Sequence, residues 1–119
     1  MRQIESTTQQ ACVRWFNMQY DQYNGLLIAI PNGGSRNPME GARLKREGVV
    51  RGVADRQLII ARGEHHGLFI EMKTHDKSSK QKPHQKEWQA KAEAQGYKYV
   101  ICRDVDEFIN IVNDYLNEQ

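Results

Sequence analysis

Gly48–Thr74, GVVRGVADRQLIIARGEHHGLFIEMKT, decides the fold. It reads as two short apolar strands, Arg56–Ala61 and Leu68–Lys73, joined by a polar hairpin-like loop over Arg62–Gly67. Asp55 opens the first strand, and Glu71 and Lys73 stand near the end of the second. Side chains alternate faces along a strand. Phe69, Glu71 and Lys73 therefore point one way, and Leu68, Ile70 and Met72 the other. Burying two like charges at such strand ends costs several kcal/mol per ion unless something compensates. A divalent cation between Asp55 and Glu71 compensates and also holds a reactive water.

Carboxylates suit hard cations, Mg²⁺ or Mn²⁺, and the backbone carbonyl of Met72 offers a further oxygen ligand. Such a metal polarises a phosphodiester oxygen and acidifies water. Lys73 then orients or deprotonates that water, or neutralises charge in the transition state. Glu5, one helical turn before Gln9, is a candidate third carboxylate. The commoner role of an acid there is a solvated helix start. Asp followed at variable distance by Glu-x-Lys is a weak motif, and a surface Glu71–Lys73 ion pair worth about 0–1 kcal/mol competes with it.

Outward from this centre, Ile4–Met18 has helical spacing, with Ile4, Cys12, Val13, Trp15 and Phe16 on one stripe. Leu26–Ile30 (LLIAI) reads as a strand covered on both faces. Pro31–Arg36 is a loop whose adjacent glycines permit close backbone approach to a ligand or form a plain turn. Pro38–Glu47 suits a short helix stopped by Gly48. His65 and His66 read as an exposed polar loop rather than metal ligands. Thr74–Lys82 is a flexible, lysine- and serine-rich connector. A helix over Pro83–Gln95 ends at Gly96, with Trp88 and Ala92 toward the core and Gln85, in its first turn, toward the acids. Tyr97–Arg103 is a strand. Asp104, with Glu107 three residues on, caps a last helix whose stripe is Val105, Phe108, Ile109, Val112, Tyr115 and Leu116. The order α-β-α-β-β-α-β-α predicts an α/β fold, one mixed sheet flanked by helices. The last strand follows a crossover helix and so should lie parallel to a strand of that sheet.

The 119 residues fit one domain, 1–119. No apolar run approaches the roughly 20 residues that span a bilayer, and the first ten residues lack the apolar core of a signal peptide. A soluble, cytoplasmic protein is expected. Cys12 and Cys102 have no CxxC partner and read as buried thiols. The net charge of +2 does not itself announce a nucleic-acid binder. Its distribution is more telling, since Arg36, Arg43, Lys45, Arg46 and Arg51 precede the central strands. Lys77, Lys80, Lys82, Lys86 and Lys91 follow them, while the acids of the last helix gather elsewhere. Arg36, Arg51, Lys77, Lys80 and Lys82 are the candidate DNA contacts; lysines scattered for solubility are the alternative.

Several motifs in series resemble the VRR-Nuc domain, the virus-type replication-repair branch of the PD-(D/E)xK nucleases. They are ESTTQ at Glu5–Gln9, PNGG at Pro31–Gly34 and ARLKREGV at Ala42–Val49. RGVAD at Arg51–Asp55, IEMK at Ile70–Lys73 and the downstream Gln85 complete the series. Ala54 stands where that superfamily usually has proline, and Val49-Val50-Arg51-Gly52 has one arginine of the namesake pair. The resemblance implies a restriction-endonuclease-like sheet, Asp55 and Glu71 as metal ligands, and Lys73 as the catalytic lysine. It implies Glu5 as a helix-borne acid, Gln85 as an auxiliary polar group and Arg51 on a phosphate. It also implies a Mg²⁺- or Mn²⁺-dependent DNA endonuclease of the stand-alone phage or bacterial type, acting on Holliday junctions or flaps. Such an enzyme would work as a homodimer in the cytoplasm of a bacterial cell or phage-infected host. A non-catalytic nucleic-acid-binding module on the same fold and a sequence-reading restriction-type nuclease are the competing readings.

Overall fold

The structure, a computed structural model, describes residues 2–31 and 37–119, with side chains described from Ser6 onward. Helix α1 (Arg2–Gln19) leads through a 3-10 turn (Asp21–Tyr23) into strand β1 (Leu27–Ala29). Helix α2 (Pro38–Arg46), strands β2 (Arg56–Leu58) and β3 (Leu68–Met72), helix α3 (Pro83–Ala94), strand β4 (Lys98–Cys102) and helix α4 (Val105–Leu116) follow. The expected α/β order holds. The sheet runs β1-β2-β3-β4, antiparallel except for the parallel β3–β4 pair. The crossover through α3 produces that parallel neighbour, as the sequence predicts.

β3 is central, and all five of its residues are buried. Leu68, Ile70 and Met72 face α1 and α4 and pack with Cys12, Phe16, Phe108, Val112 and Tyr115. Phe69 faces α3 with Ala54, Ala92 and Tyr99, and its ring meets Trp88 edge-on at 4.8 Å, a favoured aromatic geometry. The same alternation sends Glu71 toward α3. In α4, Ile111 rather than Ile109 joins the core beside Phe108, Val112 and Tyr115. The Tyr115 hydroxyl donates to the Ile60 carbonyl at 2.6 Å, so a buried phenol costs little.

Two expectations are corrected. The apolar run Leu26–Ile30 is not covered on both faces. β1 is an edge strand, half-buried, with Ala29 exposed. The Thr74–Lys82 connector is tied down rather than loose. Thr74 N–H donates to Ser79 Oγ at 3.0 Å, Ser78 bonds Asp76, and Arg103 donates to the carbonyls of Thr74 and Ser79. Composition points to flexibility, but half-buried Arg103, just past β4, supplies the guanidinium that orders this segment. Among the described residues, no helix is long and apolar enough to cross a membrane.

Candidate active site

Each central group is placed by a different backbone segment. Asp55 sits in the bend before β2, where its carbonyl accepts the Ile30 N–H at 2.8 Å. Its Oδ2 accepts the Met72 N–H at 2.7 Å, which pins the carboxylate against the end of β3. Glu71, 4% exposed, comes from β3 itself. Lys73 follows one residue beyond the strand, its side chain 9% exposed and its Nζ 3.6 Å from Glu71 Oε2. Gln85, in the first turn of α3, ties these together. Its Nε2 donates to Glu71 Oε2 at 3.1 Å, and its Oε1 accepts from Lys73 Nζ at 2.9 Å and from the Lys82 N–H at 2.8 Å. One amide thus caps a helix and holds both partners of a buried ion pair.

The electrostatics are unbalanced. Glu71 Oε1 is buried with no hydrogen-bond partner among the described residues. Burial first, and then the neighbouring Asp55 charge, push the Glu71 pKa up to about 8 against the pull of Lys73. Burial likewise raises Asp55, offset by the Met72 N–H and by Lys73. Two ionised carboxylates side by side have nothing to donate to each other. They need a shared proton or a cation between them.

That need is the test of whether a metal fits, and the residues pass it. The donors are hard oxygens, and the orphaned Glu71 Oε1 lies beside the second acid. Among the described residues there is no group of three or more His, Cys, Asp or Glu side chains that could hold an ion. Remaining ligand positions would fall to the Met72 carbonyl, water and substrate, the mixed set Mg²⁺ commonly accepts.

The structure therefore gathers Asp55, Glu71, Met72, Lys73 and Gln85 of the expected site. Glu5 falls on α1, but its side chain lies outside the described residues, as does Arg36. Arg51 is exposed in the turn before β2, and Lys82 is exposed at the start of α3. Both raise the positive potential at His84, whose pKa is lowered by desolvation and then by Arg51, Lys82 and Lys73. Lys77 and Lys80 stand exposed on the connector. His65 pairs with Glu118 at 3.3 Å, away from the acids.

Sequence reading misses Arg103, which orders the connector through carbonyls, and Arg56. The latter follows Asp55 yet points to the opposite face. It is 9% exposed, and its Nε has no partner among the described residues. A side chain whose partners are backbone atoms leaves no residue pattern to find. The Gly52 turn is legible only in three dimensions. Its φ is +96°, and a Cβ there would lie 2.5 Å from the His84 carbonyl oxygen. Glycine lets the segment before Asp55 rest directly on the first turn of α3, beside Gln85.

No protein-family model and no curated protein matches this sequence. A solved structure described as a VRR_NUC domain protein is similar to this chain with a TM-score of 0.78 and 31% sequence identity. The likeness covers 94% of this chain and 87% of that one.

Proposed function

This chain belongs to the VRR_NUC domain family, a nuclease-family domain; from that premise, we propose that it is a Mg²⁺- or Mn²⁺-dependent DNA endonuclease hydrolysing phosphodiester bonds. The single observation that carries the reading is the orphaned, buried Glu71 Oε1 beside Asp55. A fold gives up stability to keep two acids side by side with one buried carboxylate oxygen unpartnered among the described residues, and a divalent cation recovers it.

Asp55, Glu71 and the Met72 carbonyl would hold the cation, with Glu5 as a further acid. When bound, Mg²⁺ or Mn²⁺ supplies Lewis acidity at the scissile phosphate and acidifies water. Lys73, held by Gln85, presents its ammonium beside the acids, where it neutralises negative charge growing on the phosphoryl oxygens. Gln85 is a positioning residue that fixes Lys73 and Glu71 relative to one another. Arg51, Lys77, Lys80 and Lys82, with Arg36, would meet the phosphate backbone. Selectivity for Holliday junctions or flaps follows from family resemblance. A homodimer supplies the two sites that symmetric cuts require. The setting would be the cytoplasm of a bacterial cell or phage-infected host.

The test is cleavage of four-way junction, flap and linear duplex DNA with Mg²⁺, Mn²⁺ or EDTA. Metal-dependent cutting lost in Asp55→Ala and Glu71→Ala is expected. Cutting that survives either substitution would overturn the assigned site. Salt-dependent binding with no cutting of any substrate would favour a non-catalytic module, and cutting of plain duplex at fixed sequences a restriction-type enzyme.

A further inference from the structure

Beside the acid pair lies an open cleft of about 680 Å³, between α2, the Gly48–Gly52 turn and the start of α3. Its size is within the roughly 300–1,000 Å³ of ligand-binding clefts. Leu44, Val49 and Val50 supply its apolar side; Lys45, Arg51 and His84 supply its polar side. Val49 and Val50 are 37% and 53% exposed, so two adjacent branched side chains meet water. Lys45 and Arg51 form no ion pair among the described residues, and no acidic residue lines the cleft. Gln85 belongs to its wall and also donates to Glu71 Oε2 at 3.1 Å, so the cleft and the acid pair share one side chain.

The lining asks for a ligand that offers an apolar face and an anion together. Duplex DNA offers the anion alone, because its base faces are stacked on one another and only phosphates and groove edges are outside. An unpaired nucleotide offers both. We propose that this cleft holds an unpaired nucleotide of the DNA strand next to the scissile phosphate. Its base lies against Val49, Val50 and Leu44, and its phosphate lies among Lys45, Arg51 and His84. The assignment rests on the nuclease reading for its choice of DNA, and it makes the enzyme prefer substrates with unpaired nucleotides at the branch. Glycine at position 52, where a Cβ would lie 2.5 Å from the His84 carbonyl oxygen, lets the Gly48–Gly52 wall of the cleft rest on the first turn of α3.

The experiment measures binding in EDTA, which separates the cleft from catalysis. A short fluorescent oligothymidine and a blunt duplex of equal length are titrated against wild type, Val49→Ser/Val50→Ser and Arg51→Ala. The valines are on the surface, so the double variant should fold; if its melting temperature falls, Val50→Ser alone serves. The valine variant should lose about tenfold in affinity for oligothymidine and keep its duplex affinity. Arg51→Ala should weaken both and lower the salt slope by about one. Equal loss on both DNAs in the valine variant, or none on either, would overturn the proposal. Displacement of oligothymidine by thymidine monophosphate as readily as by unlabelled oligothymidine would reassign the cleft to a free nucleotide and also overturn it. The expected binding pattern, without metal-dependent cutting of any DNA, would sink the nuclease reading and leave the cleft standing.

Discussion

Replacing Glu71 with glutamine should abolish cleavage and yet stabilise the metal-free protein. The ordinary glutamate pKa of 4.5 is raised to about 8 in the fold. A group raised in this way contributes stability that is fully present below 4.5 and is lost as pH rises through about 8. At pH 7.5, linkage puts the loss at about 4 kcal/mol. Glutamine removes the charge and keeps an oxygen for the Gln85 amide. The raised pKa is already net of the attraction to Lys73 at 3.6 Å, so the gain should approach about 4 kcal/mol, on the order of 12–20 °C in melting temperature for a domain of this size. The assay is thermal unfolding of wild type and Glu71→Gln in EDTA at pH 7.5 and at pH 4. The gain should vanish at pH 4, where the wild-type carboxyl is already protonated in both states. Millimolar Mn²⁺ should raise the wild-type midpoint and leave the variant unmoved. A variant less stable than wild type in EDTA at pH 7.5, or a gain equal at both pH values, would refute the reasoning.

Four further outcomes are expected. Gln85→Ala should lower kcat at least about tenfold and also lower the melting temperature, because it removes a helix cap and the partner of two buried groups, and Gln85→Glu should be slower still, because a third carboxylate would then face Glu71; single-turnover cleavage ranks the three. Gly52→Ala places a Cβ 2.5 Å from the His84 carbonyl oxygen at positive φ, so urea unfolding should show a loss of about 2–3 kcal/mol. Burial pushes Cys12 up to about 11 and Cys102 up to about 12. Both thiols should resist iodoacetamide at pH 8 in the folded protein and react once it is unfolded in guanidinium. Their raised values add stability below 9.0 that is lost as pH climbs through 11 to 12, so the unfolding midpoint should drop in that window. Arg103→Ala frees the carbonyls of Thr74 and Ser79, and limited trypsin digestion should then cut faster at Lys77 and Lys80, as mass spectrometry would report.

The central strands were legible because strand alternation is a local rule. Leu68, Ile70 and Met72 on one face and Phe69 and Glu71 on the other follow from position alone. Gln85 was legible for a similar reason, since a first-turn residue after Pro83 has few directions to take. LLIAI misled because an apolar run says that a strand exists, not how many neighbours it has. Only the pairing shows that β1 lies at an edge with Ala29 exposed. The connector misled because Lys and Ser report solvation, while its order comes from Arg103, distant in sequence and bonded to carbonyls that every residue carries. The cleft was missed for the same cause. Lys45, Arg51 and His84 come from three segments, and their meeting depends on the missing side chain at Gly52.

Glu71 rides on an interior strand, hydrogen-bonded to a neighbour on each side and buried at every position along its length. Amides of such a strand exchange with solvent only when the entire molecule opens. The acid pair therefore has no partly formed version: warming or denaturant should erase it in one step with the rest of the protein. Any tuning of the acid pair short of unfolding must act from outside that strand, through the turn and helix end that close around it.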